Sequence, residues 1–345
     1  MSALPSDPNR AERLSRALAA LRGLAVGDAL GSQFFVPANL SCLRRRELPP
    51  GNWQWTDDTE MAASVVAVLA AHGHTDQDAL AASFARRHDF DRGYGPAVNR
   101  MLRLIRQEGA DWRELAAALF EGQGSWGNGG AMRVAPLGAW FADDPERAAD
   151  EAVRSAEVTH RHPEAVAGTR AVAAAAALVA GAENPLPTVP GGADRGTKAG
   201  AARTKAGAAR TPDADGGERA PTPLTPERLL ARVQELVPRS AVQAGLRRAV
   251  DLLDYADVST VAAVLGCGRR TSTQDTVPFA LWAAARNLGD FRAALWATAS
   301  AGGDVDTTCA IVGGIVAAAG PGAAPPREWH ERTEQFPSWL LRAVR

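Results

Sequence analysis

Two short stretches gather the side chains best able to do chemistry. Residues 55–60 read WTDDTE, which places Thr56, Asp57, Asp58 and Glu60 side by side, and residues 302–308 read GGDVDTT, which contributes Asp304, Asp306 and Thr307. Each runs into an apolar segment of small residues, MAASVVAVLAA after the first and CAIVGGIVAAAG after the second. The first cluster has a plain structural reading: Asp57 followed three residues later by Glu60 fits a helix capping box, and acids at a helix start gain roughly 0.3–1 kcal/mol from the macrodipole. The second cluster opens another. Asp304 and Asp306 alternate, so an extended backbone aims both carboxylates to one side, and Thr307 follows as a neutral oxygen ligand. Thr56, Asp57 and Asp58 offer the same donors. Such an oxygen-only set suits hard divalent cations, Mg²⁺ or Mn²⁺. If the two helix starts meet in the fold, their carboxylates repel strongly unless a cation sits among them.

The elements that must position these groups read as helices. Leu14, Leu18, Leu21 and Ala25 recur at helical spacing from Glu12 to about Leu30. Similar alanine-rich stretches follow, among them 58–72, 163–181, 277–286, 306–319 and 327–344, and no run of alternating β-branched residues competes with them. The expectation is an all-α chain, a single-domain multi-helix bundle. One segment departs from it. Residues from about 184 to 224 are rich in Pro, Gly, Ala and charge and repeat TKAGAAR in tandem, so they have too little apolar surface to offset the entropy of ordering. This is read as a disordered insertion within the one domain.

Composition narrows the partners. The chain has 345 residues, with 38 basic against 39 acidic side chains. A formal charge of −1 gives no overall field toward nucleic acid or an anionic membrane. The three cysteines, Cys42, Cys267 and Cys309, are isolated, without metal-knuckle spacing or a paired framework. No signal-like core or long uncharged apolar run is visible, so a cytoplasmic location is expected. The segment Ser125-Trp126-Gly127-Asn128-Gly129-Gly130 is a glycine-rich turn leading into a helix. Taken alone it is either a plain turn or a site where backbone amides approach a diphosphate.

GDALG at 27–31, WTDDTEMA at 55–62, GNGGAMRVAPLG at 127–138, THRHPEAVAGTRAVAAA at 159–175 and GGDVDTTCAIVGGIVAA at 302–318 together resemble, in order and spacing, the motifs of the ADP-ribosylglycohydrolase family. The resemblance spans nearly the whole chain apart from the insertion. It implies an all-helical fold around a deep cleft that holds two divalent cations. It also implies hydrolysis of the glycosidic bond joining ADP-ribose to an acceptor, either a modified protein or a small-molecule conjugate. Carried onto matching positions, the metal ligands are Thr56, Asp57, Asp58, Asp304, Asp306 and Thr307, with Asp57 and Asp58 as candidates for steering water or moving protons. Ser125, Gly127, Asn128, Gly129 and Gly130 would contact phosphate or ribose. His160, which as a lone histidine reads as a satisfied helix-end residue, would by its position in the family motif join them in preference to His162. Gly266 and Gly268 would border the adenine end. Trp53, Trp55 and Trp126 sit beside proposed site residues and are candidates for stacking.

Two positions depart from the pattern. Family members often carry a glutamate shortly after GDALG, whereas here GSQFFVP brings Phe35 to that position with no acid from Ser32 to Leu40. This puts a glutamate gate in doubt, and with it any transfer of acceptor preference. Val305 stands where Thr is commoner, at a position expected to point away from metal.

Overall fold

The computed structural model describes residues 9–182 and 223–345. The proposed insertion at 184–224 therefore falls almost wholly outside the described residues. Helices α1 (Arg10–Ser32), α2 (Leu40–Arg45), α3 (Asp57–His72), α4 (Gln77–Arg87), α5 (Pro96–Glu108) and α6 (Trp112–Ala118) form the first part of the chain. They are followed by α7 (Ala135–Trp140), α8 (Pro145–Glu157), α9 (Pro163–Ala180), α10 (Pro226–Leu236), α11 (Ala241–Asp251) and α12 (Val258–Leu265). The last are α13 (Thr273–Arg286), α14 (Phe291–Ser300), α15 (Val305–Ala317), α16 (Arg327–Arg332) and α17 (Ser338–Ala343). Among the described residues, β-type pairing is confined to two isolated bridges, Trp53 with Thr333 and Gly127 with Ser272. The fold is all-α, as expected.

The helices α1, α15, α9 and α13 make up the centre, and their small residues explain how. Gly23, Gly27 and Gly31 recur every fourth position along one face of α1. A Cβ on Gly23 would strike the Gly313 carbonyl, and one on Gly27 the Cys309 carbonyl. On Gly31 it would lie 2.6 Å from the Asp306 Cα. Glycine therefore lets the α1 and α15 backbones touch along three turns. Helix α9 is long and apolar enough by composition to cross a membrane, yet 67% of its apolar window is buried inside the protein, as befits a core helix.

Two helix boundaries differ from the expected ones, both near a proline. Helix α13 begins at Thr273, four residues before the expected 277, because Pro278 sits inside its second turn and does not mark its start. The expected helix over 327–344 is two, α16 and α17, interrupted before Pro337, whose ring disfavours helical backbone at the preceding residue. Helix α2 is short and unexpected, whereas the equally short α7 is the helix into which the glycine-rich turn leads. Loops pin the layers together: Trp53 N donates to Arg332 O at 2.7 Å, and Arg92 makes a two-pronged pair with Glu334 at 2.7 and 2.8 Å.

If the backbone contact between α1 and α15 is as tight as described, Gly27→Ala should lower unfolding free energy by about 3 kcal/mol, the upper end of the usual cost of overpacking. Gly322→Ala, where a Cβ meets open space, should stay within about 0.5 kcal/mol of the parent. Urea denaturation of both variants checks this, and a neutral Gly27→Ala would mean the two helices can part freely.

Candidate metal centre and cleft

The contact between α1 and α15 sets the first carboxylate. Asp28, one residue beyond Gly27, is fully buried and aims at the start of α3. Its oxygens accept from Thr56 N (2.9 Å), Thr56 Oγ1 (2.8 Å), Thr59 N (3.1 Å) and Thr59 Oγ1 (2.6 Å). A residue from another helix thus satisfies the free amides of α3. The capping box is accordingly corrected. The N-cap is Thr56, with no side-chain cap of its own. Glu60 turns away to accept from Tyr94 Oη at 2.7 Å and Asp89 N at 3.1 Å.

Asp57 and Asp58 open α3, while Asp304 is the N-cap of α15 and Asp306 lies in its first turn. The two acidic turns, remote in sequence, converge: one carboxylate oxygen from each of Asp28, Asp58 and Asp306 falls within 4.8 Å of the others. Thr307 Oγ1 donates to Asp58 Oδ2 at 3.4 Å, and Thr56 Oγ1 lies 3.0 Å from the same oxygen. Asp304 Oδ2 accepts from Asn128 Nδ2 at 2.6 Å. Asp304 and Asp306 flank a helix start, not an extended strand, yet both line the cavity while Val305 is buried in the core between them.

Electrostatics makes this cluster costly without a counter-ion. Burial, reinforced by Asp28, pushes Asp57 up to about 8. Asp28 itself is raised to about 6 by burial, against the pull of its threonine donors. Asp58 and Asp306 are held well above the ordinary carboxylate range by burial, then by neighbouring carboxylates, chiefly Asp28 for the first and Asp304 for the second. Asp58 Oδ1 is buried without a hydrogen-bond partner. Hard oxygen donors, clustered acids and an orphaned buried carboxylate oxygen together fit a divalent cation.

Above the acids lies a cavity of about 530 Å³ lined by Asp57, Asp58, Asp304, Asp306 and Thr307 on one side and by Ser125, Gly127, Asn128, Gly129 and His160 on another. The Gly127–Ser272 bridge, with Asn128 N donating to Thr271 O at 3.0 Å, ties the glycine turn to the start of α13. Gly127 and Gly129 face the His160 ring; a Cβ on Gly129 would come within 2.7 Å of its Cε1. Burial, aided by Arg133, depresses His160 to about 3, so it stays neutral. Thr159 Oγ1 lies 2.7 Å from its Nδ1, which fixes the ring. His162 instead accepts from Glu164 N at the start of α9.

Other candidates fall elsewhere. Gly130 packs against Thr169 and does not line the cavity. Gly268 sits under Asp304, where a Cβ would lie 2.5 Å from the Asp304 Cβ, and so supports a candidate ligand. Gly266 lines a different cavity. Trp53 and Trp55 are buried away from the cleft, Trp55 beneath the Arg92 guanidinium at 3.7 Å. Trp126 does line it, paired with Phe120 at 4.7 Å between ring centroids. Arg133 is fully buried, donates to Ser155 O at 2.6 Å, and has no carboxylate partner among the described residues. Asp28 and Phe120 were missed. Asp28 had a signal, a lone acid on the apolar face of a helix within GDALG, whereas the exposed Phe120 had none.

The sequence profile described as ADP-ribosylglycohydrolase matches residues 9–345. The chain belongs to the ADP-ribosylglycohydrolase family. It is 38% identical over 160 residues to "ADP-ribosylhydrolase ARH3" of Gallus gallus, a match covering 41% of this chain and 43% of that one. With "ADP-ribosyl-[dinitrogen reductase] glycohydrolase" of Rhodospirillum rubrum it shares 32% over 161 residues, 43% of this chain and 52% of the other. The chain thus spans about half or less of the length of the curated relatives it matches. A solved structure titled "ADP-ribosylglycohydrolase-related protein complex" shares the fold, with a TM-score of 0.61 at 24% identity over 96% of both chains. In this member of the family, Phe35 is 54% exposed just beyond α1 and supplies no acid to the cleft.

The carboxylate shifts predict a pH-dependent stability. Folded values above the ordinary 3.8 mean that the folded state holds protons the unfolded chain has released. The cluster's contribution is therefore full below about pH 4 and lost as pH rises through the folded values, toward 8. With excess chelator, Tm should fall between pH 5 and pH 8. Mg²⁺ or Mn²⁺ should restore it more at pH 8 than at pH 5, and Asp306→Asn should flatten the decline. Scanning calorimetry in chelator and in cation reads all three, and a Tm indifferent to both pH and cation would contradict the electrostatic account.

Proposed function

We propose that the protein is a divalent-cation-dependent hydrolase that cleaves the glycosidic bond between ADP-ribose and an acceptor, with an arginine side chain of a modified protein as the first acceptor to expect. The observation that carries this reading is the convergence of Asp57 and Asp58 with Asp304 and Asp306 at the floor of one cavity. Thr56, Asp57, Asp58, Asp304, Asp306 and Thr307 would hold a pair of Mg²⁺ or Mn²⁺ ions. Bound there, divalent cations lower the pKa of water and polarise sugar hydroxyls.

The chain's own groups do the rest. The glycine turn lets a diphosphate approach above the acids, with Gly127 N held by Ser125 Oγ and Asn128 by Thr271, Thr276 and Asp304, and neutral His160 adds a hydrogen-bonding group without charge. Trp126 and Phe120 present aromatic faces at the same wall for a base to stack on. Cleavage at the anomeric carbon develops positive charge, which the buried carboxylates stabilise. Asp58 Oδ2 is held by Thr56 and Thr307, and Asp57, partly exposed where it lines the cavity, would take a proton from attacking water once a bound cation keeps its carboxyl ionised.

Acceptor preference follows from the neighbouring surface. A further cavity of about 560 Å³ meets the first at Gly93 and is lined by Gln33, Thr56, Asp89 and Asp91. Arg92 within it pairs with Glu334 at 2.7 Å and with Asp89 at 3.5 Å, and the acids that outnumber this one guanidinium, Asp91 among them, favour a cationic leaving group such as a guanidinium. "ADP-ribosylarginine hydrolase Tri1" of Pseudomonas putida, 30% identical over 177 residues, is one relative whose name matches that choice. A small-molecule ADP-ribose conjugate is the next substrate class. The exposed Phe35, standing where an acid is common in the family, favours a second reading, a member that binds ADP-ribose without hydrolysing it.

Asp58→Asn and Asp304→Asn should each lower release of ADP-ribose from an ADP-ribosylated arginine peptide about a hundredfold or more, with the far-ultraviolet circular dichroism of the parent retained. Calorimetric binding of ADP-ribose by a parent protein that releases none with either cation would decide for the binder. Undiminished turnover in excess chelator would reject the mechanism.

A further inference from the structure

A second cavity of about 610 Å³ lies on the far side of the loop over residues 266–272, sharing Trp126 and Arg270 with the cleft. Its rim carries Arg248 from α11 and Arg269 and Arg270 from the loop, all exposed. None of the three guanidinium groups forms an ion pair with a carboxylate among the described residues. The lining includes one acid, Asp275, whose Oδ2 is turned back to accept from Arg270 N at 2.8 Å. Three arginines against one aspartate leave the cavity positive.

Its floor is the start of α13, a helix of 14 residues with no side-chain cap. Thr273 N is spent on Trp126 O at 3.0 Å and Asp275 N on Ser272 O at 3.0 Å. Ser272 lines the cavity at 4% exposure, and its hydroxyl has no hydrogen-bond partner among the described residues. Gln274 Oε1 beside it is buried and equally unpartnered. An unpaired hydroxyl at an uncapped helix N-terminus, ringed by unpaired guanidinium groups, is a place for an anion with several acceptor oxygens. Ala241, Ala262 and Leu265 supply an apolar wall, and the volume is that of a small-ligand site.

We propose that this cavity is a second ligand site, selective for a phosphate-bearing ligand of nucleotide size. The phosphate lies between Arg248 and Arg269 against Ser272 and the first turn of α13, and the apolar wall takes the base. The site is separate from the metal cleft and does not depend on the hydrolase reading. The wall they share gives an occupant of either cavity contact with Arg270 and Trp126.

The test is calorimetry on the full chain with Mg²⁺ present and ADP-ribose held at one equivalent, enough to occupy the cleft without saturating a second site. ADP or AMP should bind one further equivalent, inorganic phosphate should compete with it, and adenosine should bind at least tenfold more weakly. Arg248→Glu and Arg269→Glu should each weaken the added equivalent tenfold or more while ADP-ribose binding in the cleft stays within twofold. Absence of the added equivalent, adenosine binding as tightly as AMP, or indifference to both charge reversals would overturn the proposal. If ADP-ribose itself fails to bind, the ADP isotherm without it still reports on this cavity through its dependence on Arg248.

Discussion

The closeness of α1 to α15 is the constraint from which the rest follows. Gly23, Gly27 and Gly31 leave no side chain between the two backbones, so the helices meet through carbonyl and Cα atoms. A contact of this kind has little freedom to slide, because a small displacement brings backbone atoms into overlap. Asp28 on one helix and Asp306 on the other are therefore placed by main-chain geometry and not by the reach of flexible side chains. Helix α3 is then registered against this pair by the hydrogen bonds that Asp28 accepts from Thr56 and Thr59. Three helices, carrying the first, second and last of the motifs, end up delivering oxygens to one point.

That placement costs free energy, and the fold does little to cancel it internally. No arginine or lysine among the described residues forms a salt bridge with Asp28, Asp57, Asp58, Asp304 or Asp306; the partners are threonine hydroxyls, backbone amides and Asn128. Arg133 is the buried cation nearest in kind, yet it spends its donors on Ser155 and lies over the Phe84 ring at 4.7 Å. Neutral donors orient carboxylates without discharging them. The repulsion that remains is what protons or a divalent cation can relieve, and cation binding at this point would therefore stabilise the fold as well as equip the cleft.

Much of this was legible in the sequence. The helical period was strong because so many positions are alanine or leucine on a repeating face, and the two acidic turns stood out against apolar helices. What could not be read was which acids share a partner across the chain. Asp57 and Glu60 have the spacing of a capping box, but Asp28 arrives from α1 with better geometry and Glu60 is drawn to Tyr94 instead. Spacing reports local possibilities, and a tertiary donor or acceptor overrides them. Glycines were ambiguous for a related reason. Gly127 and Gly129 face the cavity wall at His160, whereas Gly130 and Gly268 are small because Thr169 and Asp304 stand against them. The tryptophans divide in the same way: Trp53 faces the core, whereas Trp55, buried beneath Arg92, edges the cavity that meets the cleft at Gly93.

The loop over residues 266–272 shows how many demands a short irregular segment can meet at once. Cys267 O accepts from Asp304 N at 3.1 Å, so the loop fixes the N-cap of α15 directly. Gly268 lets it pass beneath the Asp304 side chain, and Gly268 N is in turn held by Asp275 O at 2.8 Å. Thr271 accepts from Asn128 N through its carbonyl while adopting φ of 51°, a left-handed backbone that costs a non-glycine residue roughly 1–2 kcal/mol. Such strain persists only where surrounding contacts over-determine the conformation. Here those contacts are the Gly127–Ser272 bridge on one side and the start of α13 on the other. The same seven residues thus anchor a carboxylate of the acidic floor, position the glycine turn above it, and separate two cavities. A change that shifted the backbone of this loop would move both walls together, whereas the exposed Arg269 side chain lines the second cavity and not the cleft.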